Sequence, residues 1–76
     1  MSKYTADEIL YMQIQEEIAK EHNELRRLLR LLVHVRSLGN ATNDIVADIE
    51  QTKENLYDLH MAKKNQVQNM SEAQEN

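Results

Sequence analysis

A chain of 76 residues with a formal charge of −4 and no cysteine has room for one small domain and excludes disulfides, thiolate metal sites and indiscriminate polyanion binding. No apolar run approaches the roughly 20 residues that span a bilayer, and MSKYTADEIL carries acids where a secretory signal needs an apolar core. These features set the expectation of a soluble, cytoplasmic protein.

Pro, Phe and Trp are absent and Gly occurs once, so nothing before or after Gly39 interrupts a helix. Thr5-Ala6-Asp7-Glu8 has the spacing of a capping box, with Tyr4 and Ile9 at the two hydrophobic staple positions. Helix-compatible residues then run to Leu38, where Gly39 can close the helix in the left-handed conformation. The first helix is predicted over about residues 5–38, a length typical of coiled coils. Gly39-Asn40-Ala41-Thr42-Asn43 is the one turn-like cluster, with Asn40, Thr42 and Asn43 as candidate N-caps. A second helix is predicted over about residues 44–70. Residues 71–76 have little apolar content and are expected to fray.

Tyr11, Ile14, Ile18, Glu21, Leu25, Leu28, Leu32 and Val35 alternate steps of three and four, as do Ile45, Ile49, Thr52, Leu56, Leu59, Lys63, Gln66 and Met70. This is the a/d seam of a coiled coil, and a short loop makes the two helices antiparallel. The expected fold is therefore all-α, one antiparallel helical hairpin. One register places Val35 opposite Ile49, Leu28 opposite Leu56, Ile18 opposite Gln66 and Ile14 opposite Met70. It also brings the only acid of the first seam, Glu21, to the only base of the second, Lys63.

Apolar residues exceed what this seam can cover. Leu29, Leu31, Val33 and Leu38 lie at its edges or outside it, and a helix apolar on several sides is covered on several sides. These four are the candidate partner-binding residues. The expected arrangement is a homodimeric four-helix bundle, or else an obligate complex with a different helical partner.

Arg26, Arg27 and Arg30 project away from the seam and form a candidate face for an anionic partner, RNA or DNA included. The competing expectation is a solvated face balanced by Glu50, Glu54 and Asp58. His22, His34 and His60 are scattered over both helices, and no Glu-x-x-His pair is present, so neither a metal nor a cofactor is expected. Adjacent carboxylates such as Glu16 and Glu17 do not share a helix face, and phosphate loops and nucleophile motifs are absent. The sequence thus points to a non-catalytic protein-binding module, scaffold, adaptor or small regulator, with a nucleic-acid-binding hairpin dimer as the alternative.

Overall fold

The structure, a computed structural model, describes residues 3–74. It contains two helices, α1 over Ala6–Ser37 and α2 over Asn43–Gln74, packed against each other. Each has 32 residues, about 48 Å of helix, so the arms overlap along most of their length.

Local chemistry sets the ends of α1. The Thr5 hydroxyl accepts from the Glu8 amide at 3.2 Å, and the Glu8 carboxylate accepts from the Thr5 amide at 3.4 Å, completing the expected capping box. At the other end Gly39 has φ 76°. Its amide donates to the Arg36 carbonyl and the Asn40 amide to the Val35 carbonyl, at 3.0 and 3.3 Å, which together make a Schellman motif. The Thr42 carbonyl then accepts from the Val46 amide at 3.0 Å as α2 begins.

Every residue of the two expected a/d series is buried or half-buried. Ile18, Leu28, Ile49 and Leu56 form the apolar core, and Leu28 is only 3% exposed. Thr52 and Gln66 are buried polar members of the same seam. Thr52 donates back to the Asp48 carbonyl at 2.9 Å, and Gln66 donates across the hairpin to the Asp7 carbonyl at 3.0 Å. Neither leaves a buried polar atom without a partner, so both are tolerated in the seam.

The register differs from the expected one. Opposite Ile18, as expected, Gln66 would stand eleven residues from Asp7, roughly 16 Å along α1, too far to hydrogen-bond. A second cross-helix bond, from the Asn55 side-chain amide to the Glu21 carboxylate at 3.5 Å, gives the same correction. Both place α2 about one heptad, roughly 10 Å, closer to the open end of the hairpin. Glu21 and Lys63 accordingly form no ion pair among the described residues. Lys63 is half-buried, and its flexible stem can cover seam carbon while the ammonium reaches water.

The turn accounts for the shift. A slip by one heptad keeps every a position of one helix opposite a d position of the other, so periodicity cannot distinguish the two registers. The Schellman closure reverses the chain within Leu38–Thr42, and Thr42 itself becomes half-buried, one seam position ahead of Ile45. The far end also departs from expectation. Ser71–Gln74 continues α2, because Glu72, Ala73 and Gln74 are good helix formers and no breaker precedes them. Residues 75 and 76 of the expected tail lie outside the described residues.

Candidate interaction surface

The hairpin measures 59 × 23 × 12 Å. Its smallest dimension is the diameter of one helix with its side chains, so the molecule is a single layer with two broad faces. In heptad terms Ile18 and Leu25 are a positions and Leu28 is d. In an antiparallel pair the e positions of both helices flank one side of the seam and the g positions the other. The structure shows this at His22 and His60, both e residues, whose rings meet edge to face with centroids 6.0 Å apart.

The four candidate partner-binding residues are all exposed: Leu29 at 45%, Leu31 at 36%, Val33 at 70% and Leu38 at 61%. They do not form one patch. Leu29 and Leu31 point about 200° apart around α1 at roughly 100° per residue. Leu29 and Val33 belong to the face on the e side, and Leu31 and Leu38, a heptad apart, to the face on the g side.

The two faces differ in what α2 contributes. On the Leu29 face α2 adds Val46, Tyr57 and Val67, all exposed, and α1 adds Met12. On the Leu31 face α2 offers Asp44, Asp48, Asp58 and a run of amides, and the large apolar side chains, Leu10, Leu31 and Leu38, all come from α1 and its C-cap. Val46 and Val67 did not stand out in the sequence because each lies one position beyond an a/d residue. They become legible once e positions are compared across an antiparallel pair.

Arg26, Arg27 and Arg30 are exposed neighbours on the outer edge of α1. Arg27 is engaged locally: its Nε donates to Glu24 at 2.9 Å, its second nitrogen binds the other carboxylate oxygen, and Asp48 adds a favourable field from α2. The Glu24 carboxyl is held below its ordinary range chiefly by the Arg27 hydrogen bond, which outweighs the opposing effect of desolvation, with the Arg27 charge adding a lesser lowering. Arg26 donates to the Asn23 side chain at 3.3 Å. Arg30 makes no ion pair among the described residues. The acid that reaches this cluster across the hairpin is thus Asp48, a residue outside the expected Glu50, Glu54 and Asp58.

Among the described residues no three His, Cys, Asp or Glu side chains are grouped to hold a metal ion, and no helix is long and apolar enough to cross a membrane. No protein-family model, curated protein or solved structure matches the chain.

Proposed function

We propose that this protein is a non-catalytic interaction module, a scaffold, adaptor or small regulator, that works by packing its helices against other helices. The observation that carries this reading is a layer one helix thick with large apolar side chains on both broad faces. Its accessible surface is 6090 Å². A compact monomer of 8.9 kDa would expose about 4,800 Å² by the usual scaling. The excess is of the order of a standard interface's area. Burying each exposed Leu or Val would contribute roughly 1.5–3 kcal/mol at most, a large increment for so small a core. A four-helix bundle, formed with a second copy or with a different helical pair, is the arrangement that supplies this burial.

Sedimentation equilibrium over a wide concentration range, with thermal melting in parallel, tests the proposal. Association and a melting temperature that rises with concentration are expected for a self-associating chain. A chain that unfolds or aggregates alone points to an obligate partner. A cooperative melt independent of concentration, with no captured partner, removes the proposal.

Arg30 supports a second reading, because it has no carboxylate partner among the described residues and no acid occurs between Leu25 and Asn43 in the sequence. In that reading Arg26, Arg27 and Arg30 grip nucleic-acid phosphates. It requires binding that weakens steeply with salt and is lost when all three become Ala.

A further inference from the structure

We infer that the Leu29 face is a homodimer interface, on which a second copy stacks about a two-fold axis perpendicular to the helices, α1 antiparallel on α1 and α2 antiparallel on α2. This deepens the interaction-module reading and rests on it.

A two-fold of this kind brings together residues that share a midpoint. On α1, Met12 and Leu29 are centred midway between Lys20 and Glu21, and so are Ala19 and His22. On α2, Val46 and Val67 are centred midway between Leu56 and Tyr57, with Glu50 and Lys64 centred on Tyr57. A single axis can serve both helices only if these two midpoints lie at the same height. The fold meets that condition independently, since Asn55 hydrogen-bonds to Glu21 across the hairpin, within about two residues, or ~3 Å, of both centres.

The chemistry of the pairing is complementary as well. Met12 meets Leu29 and Val46 meets Val67, so the apolar side chains at the loop end of one copy cover those at the open end of the other. Glu50 comes beside Lys64, opposite charges on the two copies. Ala19, near the centre, has the smallest side chain on this face of α1 and permits close approach. Adjacent helices all run antiparallel in the resulting bundle, an arrangement helix dipoles favour. The Leu31 face fails the same operation. It would set Glu17 against Glu24 of the second copy, and on α2 it has no large apolar pair to join, only Asp44 against Asn69 and Asp48 against Asn65.

The chain has no cysteine, so single-cysteine variants report the arrangement directly. Full-length Met12→Cys and Leu29→Cys chains, mixed and treated with a short bis-maleimide, are expected to give a mixed cross-linked dimer as the main product, as are Val46→Cys and Val67→Cys. Leu29→Cys alone, and Leu29→Cys mixed with Val46→Cys, are expected to give little. In sedimentation, Leu29→Glu is expected to weaken the dimer at least about tenfold and Leu31→Glu to leave it within about twofold, with circular dichroism confirming helicity in each variant. A dimer that cross-links through Leu29→Cys alone, or between Leu29→Cys and Val46→Cys chains, overturns this geometry and leaves the interaction-module reading standing. The same holds for a chain that folds only with a different protein. A folded monomer at all concentrations overturns the dimer, and with no captured partner it overturns the wider reading too.

Discussion

The side-chain amide of Gln66 lies 3.0 Å from the main-chain carbonyl oxygen of Asp7, fifty-nine positions away in the chain. Gln66 is 6% exposed, so this bond is made in a largely desolvated seam, where an unpaired amide would be costly. It is also one of the few contacts that distinguish this register from its neighbour one heptad away. Gln66→Ala is expected to cost about 1–2 kcal/mol in urea unfolding. Gln66→Leu is expected to melt no lower than the parent but to specify the register less well, as apolar replacements of polar seam residues can. Spin labels at Glu16 and Met61 would then report a second distance population, displaced by about one heptad, or ~10 Å along the axis. A single unchanged population would show that the turn alone fixes the register.

Most of the seam was legible in the sequence because burial in a hairpin follows the three-four spacing, and every residue from Tyr11 to Val35 and from Ile45 to Met70 on that spacing is at least half-buried. The register was not legible. Leu28 fits opposite Leu56 or Ile49 about equally well, and pairing Glu21 with Lys63 favoured the wrong choice. The deciding features were the tight Schellman reversal and Gln66's reach to a backbone carbonyl, neither of which periodicity encodes. Leu29, Leu31, Val33 and Leu38 were identifiable as surplus apolar residues from α1 alone. Their division between two faces, and the membership of Val46 and Val67, needed both helices in place.

Gly39 offers a clean test of the turn. Its φ of 76° lies in the left-handed region, and a Cβ added there would meet nothing within 4 Å. Any cost of substitution is therefore conformational, with no steric clash to confuse it. Gly39→Ala is expected to lower stability by about 1 kcal/mol and Gly39→Asn by less, because Asn tolerates this conformation better. Chemical denaturation of the three chains gives the order, and equal stabilities would mean that the Schellman geometry is not retained in solution.

Glu24 and Arg27 supply a pH-dependent prediction. Because the Glu24 pKa is depressed in the folded state, its contribution is present above the ordinary glutamate range and is lost as pH falls through the lowered folded value. Carbon-detected NMR titration is expected to show Glu24 titrating below an ordinary glutamate, and Arg27→Gln to move it back up. Both side chains are largely exposed, so the change in melting temperature should be small and should shrink further in high salt. An unchanged Glu24 titration in Arg27→Gln would show that the pair does not persist in solution.

Leu28 and Val33 lie five positions apart on α1, one 3% and the other 70% exposed, and they separate folding from association. Leu28→Ala removes packing from the centre of the seam and is expected to cost about 2–5 kcal/mol, the range for truncating a buried leucine. That loss should appear at every protein concentration, because the seam lies within one chain. Val33→Ala removes little that the isolated hairpin buries, so at high dilution its stability should stay within about 0.5 kcal/mol of the parent. At concentrations where the parent associates, the two Val33 side chains of a symmetric assembly are both truncated. Val33→Ala should then melt measurably lower than the parent, with a gap that closes on dilution. Melting curves over a hundredfold range of concentration read both effects at once. A Val33→Ala deficit that stays constant across that range would place Val33 in the hairpin's own packing, and no deficit at any concentration would leave it outside any self-association surface.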